Sequence, residues 1–299
     1  MEISNPIKLL RYVSLTALLL FSGYASSAND KGLFWLAQKD GHSVYLLGSV
    51  HLASDDFYPL RKKIQQAYKN SDVLVVEADI LAAESDPALQ QQIMQESLYL
   101  DERTLRDDLS PTVYSQLQKW LQKHQLPEPM FIRQRPAIAM ITMSMMELKA
   151  QGLNPGLGID RHFLQQAKQS GKPIVELEGV LQQLRLLNQL ESPDLLMQQT
   201  LEQLDEIKTF APRMVKAWKN GDADHLYQLI IADSLNEHPE FKPLYETLFF
   251  RRNRDMAKRI IHTSDSYKSQ FVIIGAGHLV GEHSVIELLQ RQGYNIEQL

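Results

Sequence analysis

The chain of 299 residues contains no cysteine. That absence excludes disulfide staples, thiol nucleophiles and thiolate-held metal, and leaves His, Asp, Glu and carbonyl oxygen as the protein donors to any metal ion. Such a donor set suits Mn²⁺, Co²⁺, Fe²⁺ or Zn²⁺ without choosing among them. Excess charge is lacking too: 31 basic and 36 acidic residues leave a formal net of −5, and aromatic and basic side chains nowhere interleave as a surface for bases. Nucleic-acid partners are therefore not expected. Neither a Gly-x-Ser-x-Gly nucleophile turn nor a P-loop occurs, and no apolar run reaches the roughly 20 residues of a membrane-spanning helix.

What is present begins with a leader-like segment. Lys8 and Arg11 precede an apolar stretch from Tyr12 to Phe21, followed by Ala25-Ser26-Ser27-Ala28. This predicts a secretory signal peptide over residues 1–28, a mature chain from about Asn29, and a periplasmic location in a Gram-negative bacterium. No stable membrane insertion is expected after cleavage.

Residues 29–299 read as one α/β domain organised around two copies of a pattern. Tyr45-Leu46-Leu47-Gly48-Ser49-Val50-His51-Leu52 near one end returns as Val272-Ile273-Ile274-Gly275-Ala276-Gly277-His278-Leu279 near the other. Each is an apolar run ending at glycine, which reads as a buried strand and a turn, with a histidine just beyond. Strands 33–37 and 43–47 flank an Asp40-Gly41 hairpin turn. A helix capped at Ser54 is expected over 58–70, and Val73-Leu74-Val75-Val76 is a strand ending in Glu77. Residues 87–152 are mainly helical, with Ser110-Pro111 opening one helix and Pro136–Lys149 forming the most apolar one. The methionines of that last helix read as core filling. Asp160 opens a helix to Ser170, closed by Gly171, and a strand from Pro173 finishes at Glu176-Leu177-Glu178. Residues 180–260 are again mainly helical, broken at Pro193, Pro212, Gly221 and Pro239. Strand 271–274, a helix over about 282–292 and a short strand from Tyr294 close the chain. The expectation is a single mixed sheet built from both chain ends, with a large helical insertion or cap.

Four strands thus end in polar groups: His51, Glu77, the Glu176/Glu178 pair, and His278. Two imidazoles and a carboxylate are the ligand types of a mononuclear hydrolytic metal site, and a second carboxylate can act as general base or acid. Gly275-Ala276-Gly277 also resembles a phosphate cradle, but lacks the third glycine of a dinucleotide site. Ser49 beside His51 is poorly spaced for a nucleophile and its base. Arg252 and Asn253 lie in a basic run that reads either as a solvated helix face or as groups aimed at the strand ends to hold an oxyanion or carboxylate. The histidines at 42, 124, 162, 225, 238, 262 and 283 show no ligand spacing.

Taken in order, the paired Gly-x-x-His motifs, Val-Glu-Ala-Asp from Val76, Gly-Ile-Asp from Gly158, Glu-Leu-Glu from Glu176, and Arg252-Asn253 before Gly-Ala-Gly-His resemble the TraB/GumN family, which also contains the Tiki proteases. The likeness spans essentially the whole mature chain and is greatest to exported bacterial, YbaP-type members. It implies a fold related to the erythromycin-esterase and ChaN-like proteins. In Tiki members it implies a metal-dependent protease acting near a substrate's amino terminus. The residues it carries over are His51 and His278 as metal ligands, Glu77 as ligand or base, and Arg252 with Asn253 as catalytic groups. Glu178 and Asp160 also match. With Gly48, Gly275 and Gly277 of the two turns, Asp160 is a candidate substrate contact, and Glu178 a second catalytic carboxylate. The membrane anchors of Tiki and of many TraB members have no counterpart here, so their substrates do not transfer.

The resulting expectation is a periplasmic metal-dependent hydrolase acting on peptides, with one divalent ion between His51, His278 and Glu77, and Arg252 steadying the oxyanion. Two alternatives remain: a non-catalytic protein that sequesters a peptide or metal, and a small-molecule hydrolase or haem-binding protein of the same fold.

Overall fold

A computed structural model describes residues 30–190 and 192–299, so the signal-peptide reading lies outside the described residues. Strands β1 (Phe34–Lys39) and β2 (His42–Ser49) pair antiparallel across Asp40-Gly41. Both turn residues have positive φ, 49° and 80°, the tight turn whose twist matches that of the flanking strands. Strands β3 (Val73–Val76), β4 (Ile174–Glu176), β5 (Ser269–Gly275) and β6 (Asn295–Gln298) complete one six-stranded mixed sheet in the order β4-β3-β5-β2-β1-β6. The segment β4-β3-β5-β2 is parallel, and β1 is antiparallel to both of its neighbours. Most of the sheet is therefore built from the two ends of the chain, with the edge strand β4 supplied from its middle, and β5 joins the amino-terminal hairpin to β3 and β4.

Continuous apolar runs occupy the middle of this sheet because both faces are covered there. All four residues of β3 are buried, as are the five from Gln270 to Ile274 in β5. On one side the ring of Phe271 meets those of Tyr68 and Phe163, at centroid distances of 5.5 and 5.0 Å, from helices Lys62–Asn70 and Ile159–Ser170. A second apolar core lies within the helical part, where Met140 and Met143 pack with Leu117, Trp120, Phe131 and Met197, so these methionines are core.

Two helix boundaries differ from the sequence reading. The first helix begins at Lys62, and Asp55–Phe57 instead forms a 3₁₀ turn in which Ser54 makes no side-chain cap. Pro59 explains the delay, since a proline disfavours helical backbone in the residue before it and offers no N–H. Conversely, Ile207–Asn220 runs straight through Pro212. The proline is exposed, as is Lys208 one turn earlier, so the missing hydrogen bond falls on the solvent side while Ala211, Ala217 and Trp218 bury the other face. Trp218 also donates from Nε1 to the carbonyl of Gly48 at 2.7 Å, tying this helix to the end of β2.

The two Gly-x-x-His motifs meet because β2 and β5 are neighbours. Gly48 stands opposite Ile274 and Ser49 opposite Gly275, an offset of one residue between the copies. Where the two turns pass each other there is no room for a side chain: a Cβ on Gly48 would lie 3.1 Å from the Cα of Ala276.

Candidate active site

The four parallel strands end side by side. Reading across β4, β3, β5 and β2, the residues just past their carboxyl ends are Glu178, Glu77, His278 and His51, the location where open α/β sheets gather ligands. A cavity of about 460 Å³ opens there, and its lining includes His51, Glu77, His278, Arg252, Gln183, Gly275 and Gly277.

The histidines are oriented from behind. Asn253 donates from Nδ2 to the carbonyl of His283 at 2.9 Å, which turns its Oδ1 towards His278 Nδ1 at 2.6 Å. His278 Nδ1 must therefore carry the proton, leaving the Nε2 lone pair for the cavity. Burial drives this imidazole's pKa down to about 4, with Arg252 adding to the effect and Glu77 opposing it, so it is neutral at pH 7. At His51 the partner is Asp160, whose Oδ2 lies 3.3 Å from Nδ1 and whose Oδ1 accepts from Ser49 Oγ at 3.2 Å. The ring of His51 faces the cavity and its side chain is 62% exposed. The crowding of protein around it disfavours the cation, but the hydrogen bond and charge of Asp160, with Glu77 adding, push the pKa up to about 9 against the repulsion of Arg252.

Glu77 is held from three sides. Its Oε1 accepts the N–H of Gly275 at 2.5 Å and lies 3.9 Å from His278 Nε2, while Oε2 accepts from Arg252 Nη2 at 2.9 Å and Gln183 Nε2 at 2.8 Å. Burial opposes its charge, but His278, Arg252, His51 and the Gly275 amide outweigh it and hold the carboxyl below the usual range. Arg252 also grips Glu178, through Nε at 2.8 Å and Nη2 at 2.7 Å, and Gln183 Nε2 reaches Glu178 at 2.9 Å. The result is a partly buried square of two carboxylates, one guanidinium and one amide. With Nη1 also donating to Leu248 O at 3.0 Å, Arg252 has one Nη1 hydrogen without a partner among the described residues.

Of the residues singled out in the sequence, His51, Glu77, Arg252, Gly275, Gly277 and His278 line the cavity. Glu178, Asn253, Asp160 and Gly48 do not; they stand one layer behind, where the first three bond Arg252, His278 and His51, and the carbonyl of Gly48 accepts from Trp218. Glu176 turns away to accept from the Asp79 N–H. Sequence reasoning missed Gln183, whose only signal is its place one helical turn after Glu178-Gly179, and Ser49 as a partner of Asp160.

Whether these residues suit a metal ion can be tested on a single point. A Cβ built on Gly275 would lie 3.2 Å from Glu77 Oε1, 3.5 Å from His278 Cδ2 and 4.0 Å from His51 Nε2, so all three groups converge on the face that glycine leaves open. Two imidazoles whose Nδ1 atoms are hydrogen-bonded, beside an ionised carboxylate, fit a divalent ion in donor chemistry. Among the described residues, however, no group of three or more His, Asp or Glu side chains already stands in ligand arrangement.

The chain resembles known proteins over most of its length. It is 28% identical over 255 residues to the uncharacterized protein YbaP of Escherichia coli, covering 82% of this chain and 87% of that protein. It is 23% identical over 320 residues to Metalloprotease TIKI1 of Danio rerio, and 24% identical over 332 residues to Metalloprotease TIKI2 of Xenopus tropicalis. These alignments cover 88% and 92% of this chain but 62% and 61% of the two metalloproteases. No solved structure matches at a significant level. The sequence profile of the TraB/PrgY/gumN family matches residues 33–298, which include both Gly-x-x-His strand ends and every residue of the cavity, and the chain belongs to that family.

Proposed function

We propose that this protein is an exported, metal-dependent hydrolase of peptides, in which His51 and His278 hold one divalent ion, Mn²⁺, Co²⁺, Fe²⁺ or Zn²⁺, with Glu77 as the third protein donor. The observation that carries the reading is the convergence of His51 Nε2, the edge of the His278 ring and Glu77 Oε1 on the open face of Gly275. A divalent ion, when bound, supplies Lewis acidity at a substrate carbonyl. Asn253 holds His278 with its Nε2 lone pair free, and Asp160 holds the Nδ1 proton of His51, whose Nε2 must give up its own proton to a bound metal. The remaining Nη1 hydrogen of Arg252 would meet the charge that develops on the carbonyl oxygen, with Glu178 fixing the guanidinium and Gln183 holding Glu77 and Glu178 in place. The names of the TIKI relatives favour proteolysis over other hydrolyses.

The leader-like residues 1–28 support export to the periplasm, and no helix among the described residues is long and apolar enough to cross a membrane. The erythromycin-esterase and ChaN-like proteins remain the proposed fold relatives of residues 29–299, on the resemblance of the strand-end motifs.

The test is metal content and affinity for Mn²⁺, Co²⁺ and Zn²⁺ in the purified protein and in His51→Ala and His278→Ala variants, followed by cleavage of a peptide library. One ion per chain, lost in both variants together with cleavage, is the expected result. Equal and negligible binding by all three proteins would end the metallohydrolase reading, and stoichiometric metal without turnover would make the protein a sequestering one.

A further inference from the structure

The cavity has two chemically distinct halves. Three of the titratable groups lining it come from strand ends, His51, Glu77 and His278, and Arg252, at the start of helix Arg251–Thr263, reaches over to bind Glu77. The rest of the lining is mostly apolar and is supplied largely by the helical part, including Leu148, Leu186, Met214, Ile230, Leu248 and Phe249, all half-buried. Two short π-helical turns, Gln228–Ala232 and Glu246–Phe250, contribute Ile230 and the Leu248-Phe249 pair. A π turn adds a residue to a helix, re-aims the side chains around it, and is found mostly at functional sites. Here both such turns face one cavity.

The apolar wall starts next to the reacting groups. The Phe249 ring lies 5.3 Å from that of His278, and a Cβ on Gly277 would come within 2.8 Å of Phe249, so glycine there lets the ring close onto the histidine. Beyond Leu186, which lines both spaces, a second cleft of about 900 Å³ continues between helix Val180–Asn188 and the Glu246–Phe250 turn. Its wall mixes uncharged hydrogen-bonding side chains such as Gln182, Gln189 and Thr247 with the charged Arg185, Glu246 and Arg251, interspersed with Leu190 and Leu195. An alkyl chain laid there would strip water from amides and hydroxyls and return no hydrogen bond. A polypeptide supplies N–H and C=O groups to them and apolar side chains to the leucines.

The geometry points to a specificity subsite: the apolar half of the cavity takes a large apolar side chain, Leu, Phe or Met, of the residue flanking the scissile bond, and the adjoining cleft takes the polypeptide that continues from it. This rests on the peptidase reading above and narrows it to substrates that are apolar at that position. Asp or Lys there would lose hydration against a wall with no partner for its charge, and Ala would leave the wall unfilled.

The experiment measures equilibrium binding of capped tetrapeptide amides, carrying Leu, Phe, Ala, Asp or Lys at one internal position, to the purified protein without added metal. Hydrolysis of the same peptides is followed in parallel with Mn²⁺, Co²⁺ and Zn²⁺. Leu and Phe peptides are expected to bind about 10-fold or more tighter than Ala, with Asp and Lys weaker still. Met214→Gln and Leu148→Gln, on different helices and checked for unchanged melting, should each reduce the preference for Leu over Ala several-fold. Equal binding of all five peptides, no binding of any, or tighter binding of a long-chain fatty acid than of every peptide would overturn the subsite. Cleavage that is lost in His51→Ala but indifferent to the varied residue would sink the subsite and leave the peptidase standing. Apolar preference in binding with no cleavage under any metal would do the reverse.

Discussion

His278 Nδ1 sits 2.6 Å from the Oδ1 of Asn253, an amide whose other end is committed to the His283 carbonyl. Because that amide cannot turn over without losing the second bond, it dictates which nitrogen of His278 is free. Asn253→Ala should therefore lower affinity for Mn²⁺ or Co²⁺ by about 10–100-fold, although residue 253 does not line the cavity. A metal competition titration on folded variant protein checks this. Unchanged affinity would mean that Asn253 serves packing alone.

The Asp160–His51 pair makes a prediction about pH. In the metal-free protein His51 titrates near 9, above its ordinary 6.5, so the pair stabilises the fold fully below about pH 6.5 and loses that contribution as pH rises through 9. A metal ion must displace the same proton, so metal affinity should climb from pH 6.5 to 9 and binding at pH 7 should release a proton into buffer. Asp160→Asn should lower the His51 pKa and flatten that climb. Calorimetry in buffers of different ionisation enthalpy counts the proton directly, and an equally steep climb in the variant would contradict the assignment.

Arg252 bridges two carboxylates that are themselves almost buried, with side chains 11% and 6% exposed. Arg252→Met strands both beside each other and should cost about 3–5 kcal/mol of stability. Adding Glu178→Gln removes one of the stranded charges and should recover part of the loss. Urea denaturation of the single and double variants gives both numbers, and a double variant no more stable than Arg252→Met would argue against a shared ion pair.

Gly158 and Gly171 bound the same helix and should respond to alanine in opposite ways. A Cβ on Gly158 would overlap the backbone carbonyl of His51 and lie 3.0 Å from Asp160 Oδ1, whereas one on Gly171 meets nothing within 4 Å but sits at φ 67°. Gly158→Ala should disturb His51 and weaken metal binding at least several-fold. Gly171→Ala should cost about 1 kcal/mol of stability and leave metal binding alone. Melting and metal titration on the pair separate the two effects.

Much of this arrangement could be read in the chain before folding. The strand ends at His51, Glu77, Glu178 and His278 were legible because an apolar run that stops at Gly, or turns acidic, is a local signal, and Asp40-Gly41 announces its hairpin by turn chemistry. Local signals failed at Pro212, where tertiary burial of Ala217 and Trp218 outweighed a helix breaker, and at Ser54, where Pro59 delayed the helix. Gln183 was invisible because a glutamine on an amphipathic helix has no pattern of its own.

The sequence by itself determined which residues lie at strand ends, since side-chain periodicity and turn residues act over a few positions. Only the tertiary structure decided which of them touch. Placing β5 between β2 and β3 brings together histidines more than 200 residues apart. Packing of the helices then turned Asp160, Asn253, Glu178 and Gln183 into supports and set an apolar wall opposite them. Those pairings depend on strand order and helix docking, which arise from burial summed over the whole sheet and leave no trace in any one stretch of chain.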